Sequence, residues 1–362
     1  MSGGFTSMPS YQVRQYKLED VAPGMEVGTI ISECGKTVLC EGTVLTDNLI
    51  AILQNWGITE VPVKEKVINP DETERKKNWI QQQFFSEYED TVMAIQHCFE
   101  QVRFFREVPI MEMQELVEKT VNPLIDTVGV INHLHLVRRW NEYTFHHSVD
   151  VGIIAGVLGK WMGYRGVELK DLILSGLLHD IGKTRIPLEI LDKPGRLSDQ
   201  EMTIMKQHAA YGYEMVKDAP QLPMSVRCGI LQHHERMDGS GYPHQLCGEQ
   251  IHHFARIIAV VDIYDAMTSD RVYHEKDNPF TVVEMISNQV FGQLDPFVCT
   301  TFLNNVRDYF VGNVVLLSDG RQAEVVYMGP FRASRPVVKT EDGQFMDLEK
   351  YKDIAIIKLV TT

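Results

Sequence analysis

Hydrophobic and polar positions fall into three textures along the chain. From about residue 11 to 68, short alternating runs are broken by glycine, so VGTIISECGKTVLCEGTVL reads as strands turning at Gly35 and Gly42. Thr46 then starts a helical stretch, DNLIAILQNW, which Gly57 ends, and EVPVKEKV reads as a closing strand. From about 71 to 312 the pattern is almost wholly helical. Its opening, DETERKKNWIQQQFFSEYED, is charged and too sparse in apolar positions for a buried core helix. It reads as a connecting or oligomerising helix, or equally as a solvated amphipathic one. Beyond about 313, VVLLSDG, AEVVYMG, RPVVKTEDG and AIIKLV return to strand texture with Asp-Gly-type turns. The expected fold class is mainly α. It comprises a small α+β N-terminal module (11–68), a helical linker (71–122), an all-helical core (123–312) and a small β C-terminal module (313–362).

Length and composition agree with that division. A chain of 362 residues, 44% hydrophobic and 23% charged, is too long for one core and suits two or three folded domains. Its net charge of −14 and lack of a basic tract exclude general nucleic-acid binding. An anionic ligand then needs bound metal ions or a local cationic patch to reverse the field. Six cysteines without a CxxC pair read as reduced, mostly buried thiols, which excludes zinc-ribbon and disulfide frameworks. MSGGFTSMPS has no secretion-signal pattern, and no uncharged apolar run reaches the roughly 18 residues of a membrane span. A cytoplasmic location is expected.

Candidate chemistry lies in the helical zone. In FHHSVDVGIIAGVLGKW, His147, Val151, Ile154 and Leu158 share one stripe, whereas His146 shares its face with Asp150. A histidine on an apolar stripe is more often a satisfied core residue than a ligand. DLILSGLLHDIGK changes that weighting, because it sets His179 and Asp180 at the end of an apolar helix, with Lys183 one turn on. A buried carboxylate is costly unless paired or coordinating a metal. An ordinary buried ion pair remains open at this point. Ser198 and Glu201 form a capping box opening the helix that carries His208. LQHHERMDGSGYP adds His233 and His234 before a glycine-rich loop, and ARIIAVVDIYDAMTSDR sets Asp262 and Asp265 on one face with Arg271 beyond. Five imidazoles with two or three carboxylates exceed what one tetrahedral ion uses. Such mixed nitrogen and oxygen donors suit first-row transition metals. Two such ions suit phosphodiester hydrolysis.

HHS, LLHDIGKTRIP, ILDKPGRLSDQE, HHERMDGSGYP and VVDIYDAMTSDRVY resemble, in order and spacing, the HD-GYP family of HD-superfamily phosphodiesterases over about residues 130–305. The resemblance implies an HD-type helical core and a role in bacterial signal transduction. The implied reaction is hydrolysis of cyclic di-GMP to pGpG or GMP, with some members preferring the guanine–adenine cyclic dinucleotide. The metal ligands it implies are His147, His179, Asp180, His208, His233, His234 and Asp262, with Asp180 bridging two divalent ions. Iron or manganese come first, then zinc, nickel or cobalt. His179, Asp180 and Lys183 form the expected catalytic set, and Lys183, Tyr242, Asp265 and Arg271 the expected substrate contacts. The outer modules resemble accessory parts, so a homo-oligomer or a signalling-protein partner is expected.

Two positions depart from the family pattern. Tyr143 stands where members with a third metal carry a glutamate, although Glu142 is adjacent, so two ions are expected rather than three. His274 replaces a residue that is basic in some relatives, weakening the grip on phosphate near pH 7. Three rival readings stay open: an HD enzyme for another nucleotide, a non-catalytic cyclic dinucleotide receptor, and a structural helical protein with core histidines.

Overall fold

The computed structural model describes residues 11–22, 24–29, 31–33, 36–66, 70–137, 143–269, 278–289, 292–329 and 335–360. The described chain is mainly helical and divides into two compact units, residues 1–79 and 80–362.

In the first unit, strand Tyr11–Lys17 pairs antiparallel with Glu60–Lys66, and Ile31–Glu33 with Lys36–Leu39. The helix Asp47–Asn55 begins where the Thr46 hydroxyl accepts the Leu49 N–H, the expected N-cap. Val27, Leu45, Leu53 and Val61 form a small core of their own. The turn expected at Gly35 lies outside the described residues.

The second unit opens with most of the 36-residue helix Pro70–Phe105. This helix is not the sparse, solvated segment that its sequence pattern suggests. Phe84, Tyr88, Val92, Ile95, Phe99 and Val102 are buried and join the same core as the later helices, so this segment is structural rather than solvated. Their spacing of three or four residues makes one continuous stripe.

Helices Tyr143–Trp161 and Gly166–Leu178 pack together, with Met224–Gln232 and His253–Thr268 against them. The short helix His208–Val216 packs on the 3-10 turn Ile181–Arg185 that follows His179 and Asp180. Five elements distant in sequence thereby converge at one end of the bundle.

The chain closes in a five-stranded antiparallel sheet, in the order Phe345–Asp347, Val337–Thr340, Gln322–Tyr327, Val314–Leu317, Ile356–Leu359. Asp-Gly turns fall at Gly320 and Gly343, both at positive φ, as the pattern predicts. Val315, Leu317, Val325 and Val338 bury one face of the sheet into the helical core. Among the described cysteines all are free thiols; Cys98 and Cys299 are buried, whereas Cys40 and Cys247 are exposed, which corrects the expectation of general burial. No helix among the described residues is long and apolar enough to cross a membrane.

Candidate metal centre

The centre is built by one device used three times. His179, His208 and His233 each stand at or beside a helix end, and each donates its Nδ1–H to the carbonyl three residues earlier. The distances are 2.7 Å to Gly176, 2.7 Å to Met205 and 2.8 Å to Ile230. Because a carbonyl only accepts, each Nδ1 carries the proton and each Nε2 turns inward with a free lone pair. The Nε2 atoms of His208 and His233 face each other at 3.2 Å. With both Nδ1 protons committed, that approach sets two lone pairs together, an arrangement a cation between them would relieve.

Asp180 lies at the centre, 1% exposed. Its Oδ1 is 3.3 Å from His208 Nε2, and its Oδ2 is 3.3 Å from His179 Nε2 and 3.8 Å from His147 Nε2. His179 Nε2 and Asp180 Oδ1 are buried with no hydrogen-bond partner, a state that normally costs several kcal/mol per charged group. Two sets of donor atoms meet there: Asp180 with His208, His233 and His234, and Asp180 with His147 and His179. Asp180 alone belongs to both. Asp262 adds a second carboxylate, with Oδ1 3.1 Å from His147 Nε2 and Oδ2 3.8 Å from His234 Nδ1. Donors of this kind, orphaned and convergent, fit divalent metal ions.

The electrostatics agree. Burial pushes the His208 and His233 pKa values down, the latter well below the ordinary range, and takes His234 to about 3. All three are neutral and ready to ligate. Burial also opposes charge on His147, but Asp262 and Asp265 override it and push its pKa up to about 9. Burial would raise both carboxylates, yet the Lys183 ammonium holds Asp180 well below its usual range, and the protonated His147 holds Asp262 there. Lys183 forms a direct ion pair with Asp180.

The sequence-predicted residues separate by position. His147, His179, Asp180, His208, His233, His234, Asp262 and Lys183 are brought together; His146 is not. Tyr242 stacks on His234, ring centroids 4.6 Å apart, and walls the site. Asp265, expected among the substrate contacts, is buried behind His147: its Oδ2 takes the ring Nδ1 at 2.7 Å and its Oδ1 the Ser269 hydroxyl at 2.9 Å. Its described contacts brace the His147 ring from behind. Tyr143 opens the helix that carries His147. Arg271, His274 and Glu142 lie outside the described residues.

Two structural groups escaped the sequence reading. Glu235, buried next to His234, accepts the backbone N–H groups of His244 at 2.7 Å and Leu246 at 3.0 Å, fastening the loop that carries Tyr242. Its signal was an acid directly after two ligand candidates, in a loop with few other acceptors. Tyr88 bonds both His146 Nδ1 (3.1 Å) and Asp150 Oδ1 (2.9 Å), so the histidine set aside as a ligand belongs to a buried polar network. Only the contribution of a distant helix makes that visible.

Comparison with known proteins gives a consistent answer. The HD domain family profile matches residues 133–298. The chain is 34% identical over 233 residues to a cyclic di-GMP phosphodiesterase of Pseudomonas aeruginosa, covering 64% of this chain and 56% of that protein. It is 37% identical over 175 residues to a 3′3′-cGAMP-specific phosphodiesterase of Vibrio cholerae, covering 47% and 39%. The chain therefore spans about half the length of the curated relatives it matches. Among solved structures, an HDG"Y"P protein from Bdellovibrio bacteriovorus superposes with a TM-score of 0.50 at 17% identity, covering 82% of this chain and all of that one. That likeness supports the fold.

Proposed function

We propose, for a chain that belongs to the HD-GYP family, that the buried cluster is the dinuclear metal centre of a cyclic dinucleotide phosphodiesterase. The observation that carries this reading is the shared position of Asp180. One carboxylate serves two sets of inward-facing donors, and its Oδ1 and the His179 Nε2 are buried without hydrogen bonds. One ion would be held by His147, His179, Asp180 and Asp262, the other by Asp180, His208, His233 and His234. Iron or manganese suits this donor set first. Bound ions supply Lewis acidity at a phosphate oxygen and acidify water near neutral pH.

The chain's own residues supply the rest. Lys183, at the edge of the site, neutralises one phosphate oxygen, and Arg271, which lies outside the described residues, is the second phosphate contact that the family resemblance implies. Tyr242, whose phenol is pushed up by burial and by Asp180 and Asp262, stays neutral and gives the pocket an aromatic wall. Addition of water across one P–O3′ bond yields the linear dinucleotide, and a second addition yields mononucleotides. The relatives' names divide between cyclic di-GMP and the guanine–adenine compound, and cyclic di-GMP is the substrate proposed here.

The test combines elemental analysis of anaerobically purified protein with product analysis on both compounds. Two metal equivalents and a linear product are expected, with both lost in Asp180→Ala. Turnover unchanged in that variant sinks the assignment, and product from neither compound favours a receptor.

A further inference from the structure

Beside the centre lies a cavity of about 320 Å³, at the lower end of the range for small-molecule sites. Lys183 lines it while also pairing with Asp180, so the cavity begins where the proposed phosphate contact ends. Its inner wall is aromatic: Phe99 and Phe145 meet edge to face, centroids 5.7 Å apart at 87°. Three of its polar lining residues, Gln96, Glu100 and Arg103, come from the helix Pro70–Phe105, and Lys183 and Asp192 come from elsewhere in the chain. Gln96 donates its amide to Glu100 Oε1 at 3.1 Å, fixing one carboxylate oxygen. Arg103 has no ion-pair or hydrogen-bond partner among the described residues. With Lys183 paired to Asp180, the remaining charged lining is Arg103 with Glu100 and Asp192, which suits a neutral polar ring better than a second phosphate.

The geometry points to a guanine subsite, with Glu100 and Arg103 as its specificity-determining residues. This rests on the phosphodiesterase reading above and deepens it. Guanine presents two adjacent donors, N1–H and the N2 amino group, to which a carboxylate is complementary. Its O6 and N7 acceptors are the usual bidentate partners of arginine. Adenine places an acceptor at N1, which a carboxylate repels, so the lining selects by repulsion as well as by attraction. The aromatic wall gives the ring a face to pack against. A nucleotide whose phosphate meets Lys183 extends its base, one ribose away, into this cavity.

The readout is the ratio of kcat/KM on cyclic di-GMP to kcat/KM on bis(4-nitrophenyl) phosphate, a diester without a purine. Using that ratio corrects for any loss of folded or metal-loaded enzyme. It is expected to fall at least about tenfold in Glu100→Gln and in Arg103→Ala, mainly through KM. Wild type should also reject cyclic di-AMP, and Glu100→Gln should narrow that rejection. A ratio within about threefold of wild type in both variants overturns the subsite and leaves the phosphodiesterase reading standing. Wild type that cleaves the nitrophenyl diester but neither guanine-containing cyclic dinucleotide overturns that reading, and the subsite with it.

Discussion

Asp265 Oδ2 sits 2.7 Å from His147 Nδ1, so a buried carboxylate fixes the ring that turns its Nε2 toward Asp180 and Asp262. The pair has the geometry of carboxylate–histidine–metal arrangements, with the carboxylate behind the ring. Asp265→Asn keeps the shape but removes the charge. Metal affinity is expected to fall about 10- to 100-fold with the helical content unchanged. Competition with a chromophoric chelator measures it, and an affinity equal to wild type would refute the supporting role.

The same pair sets a pH dependence with a definite sign. The His147 pKa is raised from 6.5 to about 9, so without metal it holds a proton at pH 7 that an incoming ion must displace. Calorimetry in buffers of different ionisation enthalpy should therefore register proton release on metal binding at pH 7, less of it near pH 9.5. In metal-free protein the raised value stabilises the fold fully below about 6.5, and that contribution is lost as pH rises through about 9. The loss of Tm caused by Asp265→Asn should be larger at pH 6 than at pH 9.5. An equal loss at both would remove His147 as its source.

Removing metal should also be costly in itself. Donors that face one another without hydrogen bonds gain a partner only in the loaded state. At a hundredfold excess over Kd, binding adds about 2.7 kcal/mol. For a unit of this size that is a Tm rise of about 4–5 °C. Thermal unfolding before and after chelation, then after addition of manganese, measures it. A Tm indifferent to chelation would mean that the cluster is self-sufficient.

The parts of this site legible in the sequence are those where local pattern and chemistry coincide. The stripe of His147, Val151, Ile154 and Leu158 separates His147 from His146, because both lie on one helix whose phase is set by its own apolar residues. The capping box is likewise local, and Ser198 and Glu201 make both of its hydrogen bonds, but the helix it opens ends at Met205 and His208 begins a second one. Asp265 shows the limit: sharing a face with Asp262 cannot tell which carboxylate faces the histidine cluster and which stands behind His147. Phe84 to Val102 shows another, since the polar turns before Phe84 dilute a stripe that begins only there. Neither the 320 Å³ cavity nor the clamp by Glu235 is a property of any single segment.

Gly182 is held to its identity by a neighbouring backbone. A Cβ there would lie 1.9 Å from the His208 carbonyl oxygen and 2.5 Å from the Gly212 amide nitrogen. Gly182→Ala must therefore push the turn after Asp180 away from the helix His208–Val216. Overpacking of this kind typically costs about 1–3 kcal/mol. The shift also separates Asp180 from His208, so metal content should fall further than stability alone implies. Full metal occupancy with an unchanged Tm would show that the two elements can part without harm.

Glu235 offers the sharpest separation of loop order from ligand chemistry, because it touches no ligand atom yet fastens the loop carrying Tyr242. Its carboxylate accepts two backbone N–H groups that are otherwise left without a partner. Glu235→Ala is expected to cost about 2–4 kcal/mol. Glu235→Gln should cost less, because its amide retains one acceptor oxygen. Hydrogen exchange should speed at the His244 and Leu246 amides in both variants, more in the alanine. Gly241 tightens the same loop, since a Cβ there would lie 2.5 Å from the His234 carbonyl oxygen, so Gly241→Ala should loosen it by a different route. If both amides stay protected in Glu235→Ala, something other than this carboxylate holds the loop beneath Tyr242.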